Sequence, residues 1–145
     1  MKDLLTAIKS QLQTDLTYVR NSDIYVTEDE RLIPEAVKFP AVGLKDGSVE
    51  YTSLGRDEDM QSKLYIKIIA YVQLLKPEVS VMGDSATGKK GVLDIIADCI
   101  ISLKFNKLSG IVNRAVPESE TESELLADEE TAIQMKSVTM LYERY

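Results

Sequence analysis

The sequence predicts an α+β fold: a mostly antiparallel or mixed sheet of four to five strands packed against two main helices, in one domain spanning residues 1–145. Three observations predict it. Two segments, Leu4–Leu16 and Val92–Leu103, carry apolar residues at helical spacing. One long segment, Lys63–Leu75, alternates in character from residue to residue, as a strand does. The order helix, strands, helix, strands belongs to the α+β class. A length of 145 residues is of single-domain size, and an apolar fraction of 44% suffices for a folded core.

In the first helix Leu4, Leu5, Ile8, Leu12 and Leu16 share one face, and the polar stretch Arg20–Asp23 ends it. Ile24–Val26 reads as a short strand, followed by a polar connection through Glu28, Asp29, Glu30 and Pro34. In "FPAVGLKDGSVEYTSLG" the dipeptide Asp46-Gly47 is a turn signal between Val42/Leu44 and Val49/Tyr51, so a hairpin is expected there, with Pro40 at its edge or start. "RDED" (Arg56–Asp59) reads as a charged loop.

In "KLYIKIIAYVQLL" one parity holds Leu64, Ile66, Ile68, Ala70, Val72 and Leu74 and belongs in a core. The other holds Lys63, Tyr65, Lys67, Ile69, Tyr71 and Gln73, more apolar than solvent normally tolerates. Either a partner surface meets that face, or a second helix of the same domain covers it.

The second helix presents Val92, Leu93, Ile95, Ile96, Cys99, Ile100 and Leu103 as a wide stripe, which makes Cys99 a core residue and not a reactive thiol. "GIVNRAVP" (Gly110–Pro117) is expected to be a short strand stopped by Pro117. The last strand, "TAIQMKSVTMLYERY", changes apolar parity between Ile133/Met135 and Val138/Met140/Tyr142, which predicts a bulge near Lys136.

Composition narrows the function. The chain has no histidine, so the commonest general base and the commonest transition-metal ligand are both missing. A Ser-His or Cys-His nucleophile cannot be built, and neither a catalytic residue, a metal nor a cofactor is expected. The single cysteine allows no internal disulfide, which fits a reducing, intracellular place of synthesis. No apolar run is long enough to span a bilayer, and the charged N-terminal stretch does not read as a signal peptide. The net charge of −7 is concentrated: Glu118, Glu120, Glu122, Glu124, Asp128, Glu129 and Glu130 lie between Pro117 and Met135 with no Lys or Arg among them. The 17 other acids balance the 17 basic residues. A chain without a basic stripe is poorly suited to grip DNA, whereas a concentrated acidic loop can repel a passing polyanion or meet a basic partner.

Gly83–Lys90 has the spacing G-x-x-x-x-G-K of a phosphate-binding loop. The position that should hold a magnesium-binding Ser or Thr is Lys90, and no later apolar strand ends in the acid such sites use. A mobile loop joining strand to helix is the favoured reading over a small nucleotide-binding protein. "TEDE" (Thr27–Glu30) and Arg56–Asp59 lack the spacing of a calcium loop.

In order and proportion, the helix before "FPAVGLKDGSVEY", the long strand "KLYIKIIAYVQL", the helix "VLDIIADCIISL", the strand "GIVNRAVP", the acidic loop and the last strand resemble the tail-terminator proteins of long-tailed bacteriophages. Tail-completion and neck proteins share much of this pattern. The resemblance covers nearly the whole chain and carries no catalytic signature. It implies a virion structural protein that forms a ring, usually hexameric. Such a ring caps the head-proximal end of the tail tube and meets the head-side connector, with DNA passing through the bore and no membrane involved. It gives Tyr65, Lys67, Ile69, Tyr71, Lys89 and Lys90 as subunit or partner contacts. It places the acidic residues Glu118–Glu130 at the lumen or between rings.

Overall fold

The computed structural model of the chain describes residues 1–55, 60–74, 76–127 and 132–145. The apolar stripe at the N-terminus forms helix α1 (Lys2–Asp15), which buries Leu4, Ile8 and Leu12. The second stripe forms α3 (Val92–Leu103), burying Val92, Ile95, Ile96, Cys99 and Leu103. Between them a short helix, α2 (Pro77–Met82), starts at a proline, which fits the first turn because its missing N–H would be unpaired there anyway. The strands are β1 (Ile24–Val26), β2 (Ala41–Ser53), β3 (Met60–Gln73), β4 (Arg114–Glu120), β5 (Glu124–Ala127) and β6 (Ala132–Arg144).

They form one mixed sheet in the order β1-β2-β3-β6-β4, with β5 paired to the first residues of β6. β1 runs parallel to β2, and the other pairings are antiparallel. The sheet has six strands, not four to five, because part of the acidic segment is itself a strand.

The two sheet faces are covered differently. On one face α1 and α3 cover Val42, Leu44, Leu64, Ile66, Ile68, Ala70, Val138, Met140 and Tyr142, forming the main core. Each such aliphatic side chain taken from water stabilises the fold by roughly 1.5–3 kcal/mol. Cys99 lies wholly inside, and burial pushes its thiol up to about 12, which keeps it protonated and unreactive. On the opposite face Tyr25, Ala41, Ile69, Tyr71, Ile133 and Met135 form a second cluster, capped by Ile33, Val37, Phe39 and Leu126.

Three sequence expectations are corrected. Asp46-Gly47 does not turn the chain: β2 runs straight through it along β3, with Asp46 opposite Ile66 and Val49 opposite Leu64. The extra residue is a bulge, and a Cβ on Gly47 would come within 2.6 Å of the Tyr65 carbonyl oxygen, so glycine is demanded by close backbone approach. Pro117 does not stop β4, which starts at Arg114 and continues to Glu120 with a register shift between Pro117 and Ser119. A missing N–H is tolerated there because β4 is an edge strand. β6 has no bulge against β3: the register is continuous from Ser62↔Arg144 to Gln73↔Ile133. The parity changes because the first half of β6 buries its outer side chains in the second cluster, whereas the second half buries inner ones in the main core.

Candidate functional site

On β3 the outward residues divide in two. Ile69 and Tyr71 are fully buried by the chain's own residues, which corrects the expectation of an open partner face at these two positions. The cover is not a second helix. It is the connection between β1 and β2, with Leu126 of β5. The Tyr71 hydroxyl donates to the Glu30 carbonyl, and the Glu30 carboxylate pairs with Lys67. The Tyr71 ring stacks on Tyr25 at 6.3 Å between centroids. Burial keeps the Tyr71 phenol protonated, as it does that of Tyr25, pushed up to about 12.

Tyr65 and Lys67 stay half-exposed. Tyr65 donates to Glu50 Oε2 at 3.3 Å. Beside them the register places Glu50, Lys63, Glu143 and Arg114 in one row across four strands, an alternation of charge suited to cross-strand pairing. Arg114 Nη1 lies 3.7 Å from Glu143 Oε2.

The Gly83–Lys90 segment folds into a tight turn in which Asp84 and Lys89 exchange backbone hydrogen bonds of 2.9 and 3.0 Å. At the start of α3 the Gly91 N–H donates to Asp94 Oδ2 at 3.0 Å. That same carboxylate fills the concavity: a Cβ on Gly83 would lie 2.3 Å from it. A phosphate at this helix N-terminus would therefore meet a fixed negative charge where a phosphate loop offers free N–H groups. Lys90 Nζ sits 3.7 Å from Asp98 and 5.2 Å from the centre of the Tyr18 ring, and Tyr18 donates to Asp98 at 2.7 Å. Lys89 is exposed. A cleft lined by Tyr18, Phe39, Pro40, Val72 and the Gly88–Lys90 turn opens beside it.

Glu118 and Glu120 lie on β4, Glu122 between strands and Glu124 on β5, all exposed. Among the described residues the expected acidic loop is thus largely strand. Its ladder partner is β6, and Thr121 is tied to Ser137 by both main-chain and side-chain hydrogen bonds. Lys136 Nζ stands 3.8 Å from Glu120. Asp128, Glu129 and Glu130 lie outside the described residues, as does Arg56–Asp59. Leu125 is 55% exposed among these acids, and the apolar pair inside an acidic run is its signal in the sequence. Glu30 reads in the sequence only as part of a polar connection, because its partners Lys67 and Tyr71 are distant along the chain.

Among the described residues no group of three His, Cys, Asp or Glu is arranged to hold a metal ion, and no helix is long and apolar enough to cross a membrane.

No family model matches the chain, and no curated protein matches it. Among solved structures its fold is similar to that of a chain in the virion of a native gene transfer agent particle, with a TM-score of 0.56 and 13% sequence identity. The match covers 97% of this chain and 92% of that one. At that identity the likeness is one of fold, and it spans both chains almost end to end.

Proposed function

We propose that this chain is a non-enzymatic structural protein of a phage-like particle, a tail-terminator subunit. In this reading it assembles into a hexameric ring that caps the head-proximal end of the tail tube and joins it to the head-side connector. The observation that carries the reading is the end-to-end fold likeness to a component of a gene transfer agent virion. The chain also has surfaces suited to the role. The acidic strands β4 and β5 repel DNA phosphates, so that DNA slides past such a surface without sticking. The exposed Lys89, and the half-exposed Tyr65 and Lys67, are open to contacts with a neighbouring subunit or with the tube.

Gold labelling of an epitope-tagged chain in purified particles tests the position. Label at the head-proximal end of the tail, present also on free tails, supports the terminator. Label on tailless heads would move the chain to a head-completion or neck role, and absence from particles would overturn the reading.

A further inference from the structure

The sheet has two edges, and they are protected differently. On β4 the Ala115 carbonyl accepts from the N–H of exposed Phe105 at 2.7 Å. Two residues on stands Pro117, which has no N–H to offer. Such devices keep an edge strand from pairing with another chain. On the opposite edge β1 covers β2 only from Val42 to Leu44, and the Thr27 N–H takes the Leu44 carbonyl at 2.8 Å. Just beyond, Lys45 Nζ donates to the Asp46 carbonyl at 3.1 Å.

The backbone groups of a strand alternate in direction. Leu44 points its carbonyl at β1, so Gly43 and Lys45, opposite Ile69 and Lys67, point at β3. By the same alternation Lys63 and Gln61 of β3 face β2, and past the bulge they hold Glu50 and Thr52. The N–H and C=O groups of Val49, Tyr51 and Ser53 are therefore turned outward, and among the described residues no hydrogen bond reaches them. Val49–Ser53 contains no proline and no lysine. Tyr51 is 67% exposed, with Met60, 52% exposed, diagonally across on the same face.

We infer that Val49–Ser53 pairs antiparallel with the same segment of a second copy of this chain, Tyr51 facing Tyr51 across a two-fold axis, so that the two sheets join edge to edge. The segment is complementary to itself. Its outward groups lie symmetrically about Tyr51, so each facing pair, Tyr51 with Tyr51 and Val49 with Ser53, exchanges both backbone hydrogen bonds. On the face that Val49 packs against the main core, the two exposed tyrosines become cross-strand neighbours. On the other face Glu50 stands opposite Thr52, so no like charges meet. The β4–β5 edge is the poorer partner, because Glu118, Glu120, Glu122 and Glu124 would bring further carboxylates to Glu50. The contact is isologous, so it joins copies in pairs and goes beyond the head-to-tail ring.

Tyr51→Pro tests the contact, because the N–H it removes is one the fold leaves free. Light scattering and amide exchange of the whole chain are the readouts. The unaltered chain is expected to pair as concentration rises, with slowed exchange at Val49, Tyr51 and Ser53. Tyr51→Pro should keep its melting temperature when dilute and weaken association at least about tenfold, since both Tyr51–Tyr51 bonds are lost. A nitroxide on Thr52→Cys gives a second readout that does not depend on the proline variant folding; Cys99 is buried and stays unlabelled. In this register the two labelled residues lie roughly 8 Å apart between Cα atoms, so strong dipolar broadening is expected. Unchanged association of a folded Tyr51→Pro, or a monomer at every concentration, would overturn the contact. Association with the labels far apart would also overturn it, and would leave the ring reading standing.

Discussion

The Tyr71 hydroxyl donates to the backbone carbonyl of Glu30, a residue 41 positions earlier in the chain, and so pins the β1–β2 connection over the outer sheet face. Lys67 reinforces the same point through the Glu30 side chain. Glu30 thus links a backbone segment without regular structure to β3, the central strand of the sheet.

Tyr71→Phe keeps the ring and loses that hydrogen bond, which is expected to destabilise the fold by about 1 kcal/mol. Tyr71→Ala also empties the cluster shared with Tyr25 and Met135, with an expected loss of about 3–5 kcal/mol. Urea unfolding measures both. Faster proteolysis between Thr27 and Pro40 in the alanine variant, with α1 and α3 still protected, would show that the connection is released first.

Gly47→Ala should destabilise the chain by roughly 1–3 kcal/mol, because its Cβ is forced against the Tyr65 carbonyl in the bulge. Gly55→Ala places a Cβ in open space but at φ +84°, so its cost is the left-handed strain alone, about 1 kcal/mol. Paired thermal melts that rank Gly47→Ala no worse than Gly55→Ala would contradict the backbone-approach explanation of the bulge.

The difference between these two glycines shows where the sequence stops being legible. Asp46-Gly47 reads as a turn because local chemistry permits one, yet the long pairing of β2 with β3 overrides it, and that pairing is non-local. The stripe of α3 is readable because it buries one face against a single core, and the period-two pattern of β3 because one parity serves the main core along its length, although Ile69 and Tyr71 of the other parity fill the second cluster. The parity change in β6 misled because its two halves serve two cores on opposite faces, a fact that depends on where the β1–β2 connection lies. Among the surface groups, the acids on β4 and β5 and Lys89 stood out by composition. Phe105 did not: nothing in "SLKFNKLSG" announces that its aromatic ring is left in solvent.

Asp3 accepts a hydrogen bond from Arg144 at 3.0 Å, which, with its other partners, holds its carboxyl at about 2, below the usual carboxylate value of roughly 4. A depressed folded-state value means that the pair stabilises the fold above about pH 4 and that this contribution disappears as pH falls towards about 2. Asp3 is largely exposed, so solvent screening limits the effect. Asp3→Asn is therefore expected to cost at most about 1 kcal/mol at pH 6. The gap from wild type should close by pH 2 and shrink in high salt. A pH-independent gap would assign the effect to packing of α1 and not to charge.

Asp94 occupies the place where a phosphate would have to sit, so titration with labelled ATP and magnesium should show no saturable binding in the micromolar range, and Lys89→Ala should change nothing. Saturable micromolar binding lost in Lys89→Ala would restore the nucleotide-binding reading of Gly83–Lys90.

Self-association into a ring is tested by light scattering of the purified chain at low salt and with added salt and magnesium, which screen repulsion between the acidic surfaces, together with negative-stain images of the main peak. A closed ring of about six subunits is the expected result for a cyclic head-to-tail assembly of this kind. A monomer in every buffer that also fails to cap purified tail tubes would contradict it.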